Sequence, residues 1–128
     1  MASRFVAHLL DLLDGPATRG LGRPSARAMF GGHGLYLDDL MVGLVADEVL
    51  YLKTDAVTRA RFEDVGSRPF EFQSRARTMP VVMSYWEAPA DAFDDVDALR
   101  EWLTLAHGAA RRAAETRVAR KPRPSRKR

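Results

Sequence analysis

The chain has 128 residues, of which 46% are hydrophobic and 29% charged, as expected for one globular domain. It contains no cysteine, which excludes disulfides, thiolate catalysis and cysteine-based metal sites, and its three histidines argue against a His-rich metal centre. No apolar run approaches the ~20 residues of a membrane span, and Asp11 interrupts the N-terminal apolar stretch, unlike a signal peptide. We therefore expect a cytoplasmic protein with no cofactor and no membrane contact.

The charge is distributed unevenly along the chain. The whole sequence carries +3, but residues 111–128 hold nine basic residues and one acidic residue, a net charge of +8. Residues 1–110 therefore carry −5. An acidic body followed by a basic extension predicts contact with a polyanion. We predict a folded domain over residues 1–110 and an extension over 111–128 in which the last helix ends and a disordered segment follows.

The first half of the chain predicts one helix followed by short antiparallel strands. Residues 4–14 place apolar side chains at helical spacing after Ser3 as a cap, and Gly15-Pro16 ends the helix. Residues 15–24 are typical of a connecting loop. The predicted strands are Ala28–Phe30, Leu35–Leu37, Leu40–Ala46 and Val49–Lys53, with the acidic pairs Asp38-Asp39 and Asp47-Glu48 as hairpin turns.

The second half predicts two strands between two helices. Thr54 is expected to cap a helix over 55–64 whose buried residues are Val57, Phe62 and Val65. Strands are predicted at 70–73 and 81–86, separated by an exposed turn at 74–78. A last helix, capped by Asp94 or Asp95, ends by Pro122, and 119–128 is expected to be disordered. Its apolar stripe consists of Val96, Leu99, Leu103, Ala106, Ala110 and Ala113.

These elements predict an α+β fold. The order is α-β-β-β-α-β-β-α, and the short connections favour a two-layer domain with an antiparallel sheet of about five strands.

The stretch Met29–Asp38, MFGGHGLYLD, resembles the signature of the TfoX N-terminal domain family. Further segments support this resemblance in the same order as in the family, and together they cover about residues 5–113. They are MVGLVADEVLYL followed by Lys53, Phe70-Glu71-Phe72, Met79-Pro80, Ser84–Glu87 with Pro89, and Ala98–Trp102.

The resemblance implies an α+β fold and a regulatory role. The better-studied members of this TfoX/Sxy family are two-domain regulators of bacterial competence genes that act with a cyclic-AMP receptor protein at promoters. This chain is similar to single-domain members, and it has a basic tail where the two-domain members continue. The resemblance implies a non-enzymatic interaction module, linked to transcription or competence through a protein partner.

The glycine-rich segment Gly31-Gly32-His33-Gly34 and Lys53 are the candidates for a ligand site. A phosphate loop would place backbone N–H groups at a helix N-terminus, whereas these glycines lead into a strand. A close approach of two backbones is the favoured interpretation. The alternative is a small-ligand binder or enzyme that uses this loop, with His33 as its titratable group and Lys53 as a cation in a cleft.

Partner surfaces are predicted from aromatic and basic residues. Tyr85 and Trp86 at a strand end, together with the first helix, are candidates for a protein-partner surface. A small nucleic-acid-binding protein is the alternative function, and its contacts would be sequence-independent. Self-association into a homodimer is a further expectation, because long apolar strands at a sheet edge need covering. The candidate nucleic-acid contacts are Arg111, Arg112, Arg117, Arg120, Lys121, Arg123, Arg126, Lys127 and Arg128.

Overall fold

Six antiparallel strands and three helices form the protein in a computed structural model that describes residues 4–29, 31–72 and 81–120. The helices are α1 (Arg4–Leu13), α2 (Arg59–Asp64) and α3 (Val96–Arg120), and short 3-10 turns lie at Pro16–Thr18 and Ala90–Phe93. The strands are β1 (Pro24–Met29), β2 (Gly32–Leu37), β3 (Leu40–Ala46), β4 (Val49–Lys53), β5 (Pro69–Phe72) and β6 (Val81–Glu87).

The sheet order is β1-β2-β3-β4-β6-β5, with every neighbouring pair antiparallel. The predicted α+β class is confirmed. The sheet has six strands instead of about five: all four runs predicted before α2 are strands, whereas the predicted element order has three there.

Acidic residues form the turns at both ends of β3. Asp38, Asp47 and Glu48 adopt positive φ angles of 53°, 52° and 61°. Asp tolerates this left-handed conformation better than most residues, because its short side chain can bond the local backbone. The predicted hairpins are therefore confirmed, and the two acidic pairs lie at opposite ends of one strand.

The hydrophobic core lies between one face of the sheet and the helices. Leu50 and Leu52 alternate with less buried residues along β4, as do Leu35 and Leu37 along β2. These side chains belong to one cluster with buried residues of all three helices. The central strands therefore fix the helices on this face of the sheet.

The predicted starts of the first two strands are wrong. The first strand begins at Pro24 and not at Ala28, because residues 24–27 pair with β2 from Pro24↔Leu37 onward. The second strand begins at Gly32 and not at Leu35, because residues 32–34 also pair with β1. Phe30, which was assigned to the first strand, lies outside the described residues. The capping prediction for Ser3 and the predictions for residues 73–80 also fall outside the described part of the chain.

The second helix is shorter than predicted, and its buried set differs. Residues 55–58 form a turn in which the Asp55 carboxylate accepts the N–H groups of Val57 and Thr58 at 3.0 and 3.1 Å. Thr54 does not cap the helix, because its buried hydroxyl donates to the Ser84 carbonyl at 3.2 Å. Phe62 is fully buried, whereas Val57 and Val65 are 69% and 51% exposed. The register prediction for those two valines is therefore wrong.

The last helix follows its predicted stripe with one exception. Asp95 caps α3 by accepting the Ala98 N–H at 2.8 Å. Leu99, Leu103, Ala106 and Ala110 are buried and Ala113 is half-buried, but Val96 is 47% exposed because it lies in the first turn. The helix includes residues 119 and 120, which the sequence assigned to disorder; residues 121–128 lie outside the described residues.

The apolar strands are central, and the sheet edges are β1 and β5. Each edge strand begins with proline, and the exposed residues Arg27 and Glu71 lie on them. Proline and charge on an edge strand discourage pairing with another sheet. Homodimer formation stays a prediction. It was based on long apolar strands at a sheet edge, and the edge strands β1 and β5 are not of that kind. No helix among the described residues is long and apolar enough to cross a bilayer.

Candidate functional site

The glycine-rich segment brings two backbones into close contact. Gly31 has a positive φ of 78°, and a Cβ on Gly32 would lie 2.0 Å from the Val45 carbonyl oxygen. The glycines lead into β2 and not into a helix, so the N–H array of a phosphate loop does not form there. His33 is half-buried within β2, opposite Val45. These observations match the close-approach interpretation.

The structure does not bring the glycine-rich segment and Lys53 together. Gly34, Leu44 and Tyr51 lie in one row across β2, β3 and β4. Gly32 lies two residues from that row in one direction, and Lys53 lies two residues from it in the other. This offset of four residues corresponds to about 13 Å along the strands. A single ligand site built on both is therefore not formed.

Tyr85 and Trp86 have different environments, although they are adjacent in β6. Trp86 pairs with Leu52 and packs against the core cluster. Tyr85 pairs with Lys53, whose Nζ lies 5.0 Å from the Tyr85 ring centroid and donates to Ser84 Oγ at 2.6 Å. Only Tyr85 of this pair shares a cavity with Lys53. The two residues therefore do not form one partner surface.

An apolar groove of about 470 Å³ lies between α1, the start of β4 and the second 3-10 turn. Its lining includes the core residues Leu9 and Leu50. Leu12 and Phe93 also line it, and each is 42% exposed. The first helix was predicted as a partner surface, and Leu12 is the large apolar side chain that it exposes at this groove. We call it the α1 groove.

Two acidic residues lie among the lining of the α1 groove. They are Glu48 and Glu87, and His8 of α1 lines it as well. Burial and the nearby carboxylates of Glu87 and Asp47 raise the pKa of Tyr51 above its ordinary value. Burial is the larger cause of this shift, and Tyr51 itself does not line the groove.

The first two basic residues of the extension are engaged with acidic side chains. Arg112 Nε donates to Asp55 Oδ2 at 2.6 Å and its Nη2 donates to Oδ1 at 3.2 Å, which makes a bidentate pair. The hydrogen bond from Arg112 holds the pKa of Asp55 below its ordinary value. Arg111 lies 3.8 Å from Glu115 in an exposed contact.

The remaining candidate nucleic-acid residues fall into two groups. Arg117 and Arg120 belong to α3, and no contacts of their side chains are described. Lys121, Arg123, Arg126, Lys127 and Arg128 lie outside the described residues. Arg112 is therefore the candidate with the clearest structural role, as the partner of Asp55.

Sequence reasoning missed Phe93 and Tyr36 as site residues. Phe93 lies in an acidic segment that carries no helical or strand periodicity, and Tyr36 reads as an ordinary strand residue. Their positions beside α1 and Lys53 follow from the topology alone. Within the described ranges, no group of three or more His, Asp or Glu residues could hold a metal ion.

The fold and the matched sequence define an α+β domain of one family. Residues 17–110, well over half of the chain, match the TfoX N-terminal domain, and the chain belongs to this family. The chain is 45% identical over 51 residues to DNA transformation protein TfoX1 of Aliivibrio fischeri (strain ATCC 700601 / ES114). That segment is 40% of this chain and 24% of the relative, so the match spans about a quarter of the relative's length.

Proposed function

We propose that this protein is a non-enzymatic interaction module that regulates DNA transformation through a protein partner. Family membership and the name of the relative from Aliivibrio fischeri support the process. The proposal that it acts by binding a partner rests on the α1 groove. Leu12 and Phe93 are large apolar side chains left 42% exposed at its border, and apolar side chains grouped in this way are typical of partner sites.

The partner segment is an amphipathic helix with basic residues beside its apolar face. Its apolar side chains would contact Leu12 and Phe93, and its Lys or Arg side chains would meet Glu48 and Glu87. Charge complementarity of this kind sets specificity and association rate more than affinity. The helix-in-groove mode buries residues at positions i, i+3 or i+4, and i+7.

The proposed role in DNA transformation is tested by deleting the gene for this protein in its native organism. We expect the transformation frequency to fall and to return when the full-length chain is expressed from a plasmid. A transformation frequency unchanged by deletion, in a strain that is otherwise transformable, would contradict the proposal.

Nucleic-acid contact through the basic extension is a second candidate function. The observation that favours it is the length of α3, which continues past the buried Ala110 and includes Arg117 and Arg120. Lysine and arginine side chains that neutralise phosphates give an affinity that falls steeply with salt. Arg111 and Arg112 are left out of the variant below because they contact Glu115 and Asp55, and Arg112 pairs with Asp55 through two hydrogen bonds.

This second function is tested with a full-length variant in which seven basic residues become glutamine. They are Arg117, Arg120, Lys121, Arg123, Arg126, Lys127 and Arg128. If all seven contact phosphates, log Kd for duplex DNA should change with log salt with a slope of about 6 in the wild type and close to zero in the variant. The control variant R19Q/R59Q should keep the wild-type slope. Absence of binding at 50 mM salt would contradict this function.

A further inference from the structure

A second cavity, of about 320 Å³, lies where the sheet meets the C-terminal half of α3. Tyr36, Met41, Lys53 and Tyr85 line it from four different strands, and Ala110 and Ala113 line it from the helix. We call it the Lys53 cavity. It is separate from the α1 groove, because the two share no lining residue.

The cavity exists because the side chains of α3 become smaller along its stripe. Leu99 and Leu103 fill the space against the sheet in the first half of the helix. Ala110 and Ala113 occupy the equivalent positions farther along, and the methyl groups leave room between the helix and the ends of β2, β3 and β4. A larger side chain at Ala113, which is only half-buried, would fill this space without entering the core.

Lys53 is held at the wall of the cavity by its neighbours. It is the last residue of β4, its Nζ donates to Ser84 Oγ at 2.6 Å, and the same atom lies 5.0 Å from the Tyr85 ring centroid. A fixed ammonium group loses less side-chain entropy on binding an anion than a mobile surface lysine does. It also forms stronger, charge-assisted hydrogen bonds with carboxylate or phosphate oxygens.

Aromatic rings line the cavity next to this cation. Tyr36 and Tyr85 belong to β2 and β6, and both line this cavity although β3 and β4 lie between those strands. Two tyrosine rings and the Met41 side chain favour a flat apolar body by stacking and sulfur contacts. Among the described residues that line the cavity, Asp39, exposed in the β2–β3 turn, is acidic, and its charge weakens the binding of any anion.

We propose that the Lys53 cavity binds a small aromatic anion, a single ring that carries one carboxylate or phosphate group. The anionic group contacts the Lys53 ammonium. The ring lies against Tyr85 and against the Tyr36 ring, whose other face holds the Arg27 guanidinium 4.3 Å from the ring centroid. The volume is at the lower end of the range for ligand pockets, which limits the ligand to about one ring with its substituent. This site requires neither the protein partner nor nucleic-acid contact.

The test is a titration of the 15N-labelled full-length protein, followed by two-dimensional NMR. Benzoate and phenyl phosphate are the probes for the two anionic groups, and benzyl alcohol is the neutral control. We expect saturable shifts of the Lys53, Tyr85 and Ala113 amides with at least one anion and much weaker shifts with benzyl alcohol. An equal response to all three compounds, or no saturable shift with either anion, would overturn the proposal.

Variants test which residues make the site. K53M should weaken the Kd of the better anion at least tenfold, and A113L should abolish binding by filling the cavity. D39N should tighten binding, because it removes the opposing charge. A114L adds the same side chain at a neighbouring position that does not line the cavity, and it should keep the wild-type Kd. Wild-type affinity in both K53M and A113L would show that the anion binds elsewhere.

Discussion

The structure explains directly why residue 32 in the family signature is a glycine. A Cβ there would lie 2.0 Å from the Val45 carbonyl oxygen, and this oxygen belongs to the backbone of the neighbouring strand. We expect G32A to lower the free energy of unfolding by about 3 kcal/mol, because β2 and β3 must separate. Urea denaturation measures this change.

Gly108 provides the matched control for that substitution. It lies within α3, and a Cβ there would meet only the Arg112 guanidinium, 3.3 Å away. Asp55 pairs with Nε and Nη2 of Arg112, whereas the contact is with Nη1, which needs to give by only a few tenths of an ångström. G108A should therefore raise the unfolding free energy by up to ~1 kcal/mol, because alanine is the better helix former. A loss of stability in G108A equal to that in G32A would contradict the backbone-contact explanation.

Asp55 joins the turn before α2 to the C-terminal half of α3. Its carboxylate accepts two backbone N–H groups and pairs with Arg112, which holds its pKa below the ordinary value. The stabilisation is therefore complete above the ordinary pKa of Asp and is lost as pH falls through the lower native pKa. At pH 7 we expect D55N to be less stable than the wild type by about 1 kcal/mol.

The pH dependence distinguishes this pair from an ordinary surface contact. The difference in unfolding free energy between wild type and D55N, measured by urea denaturation, should shrink as pH falls from 7 to 3. The reason is that protonation removes the charge of Asp55, as the D55N substitution does. R111Q is the control, since Arg111 lies 3.8 Å from Glu115 and both side chains are more than half exposed. It should change stability by less than about 0.5 kcal/mol. A difference for D55N that is constant with pH would contradict the ion-pair explanation.

At the scale of elements, α2 depends on one side chain. It has six residues, too few for a stable isolated helix, and Phe62 is its buried residue. The Phe62 ring meets Trp102 of α3 edge-to-face with centroids 4.9 Å apart. We expect F62A to reduce the unfolding free energy by about 3–5 kcal/mol. V65A should change it by less than about 0.5 kcal/mol, and equal effects of the two substitutions in urea denaturation would contradict this packing.

Elements with strong local signals could be predicted from the sequence, and elements defined by distant contacts could not. The stripe of α3 and the acidic hairpin turns around β3 were recognisable because periodicity and turn chemistry are local. The start of β1 was missed because Pro24–Arg27 become strand only through pairing with β2. Val57 and Val65 lie on either side of α2 and were misassigned as buried, whereas Phe62 between them is the residue that reaches Trp102.

At the scale of the whole molecule, the two candidate sites depend on topology. Lys53 was recognised as a cation at a strand end, but its place in one cavity with Tyr36 follows from the topology, because β2 and β4 flank β3 and end on the same side of the sheet. The strand register separates Lys53 from Gly32, which lies four residues away along the strands. The first helix was recognised as a partner surface from its apolar side chains, whereas the contribution of Phe93 required the structure.

The central claim is that the α1 groove receives a protein partner needed for DNA transformation, and its test compares two double variants. L12E/F93E places charge on the exposed apolar side chains of the groove. V57E/V65E does the same to two exposed valines that do not line it. Circular dichroism melting should show that both variants fold like the wild type, since all four side chains are substantially exposed.

The decisive measurement is the transformation frequency of a deletion strain that carries each variant. The account predicts that V57E/V65E restores the wild-type frequency and that L12E/F93E, expressed at the same level, leaves it at least tenfold lower. Restoration to the wild-type frequency by L12E/F93E would contradict the claim that this groove is the working surface.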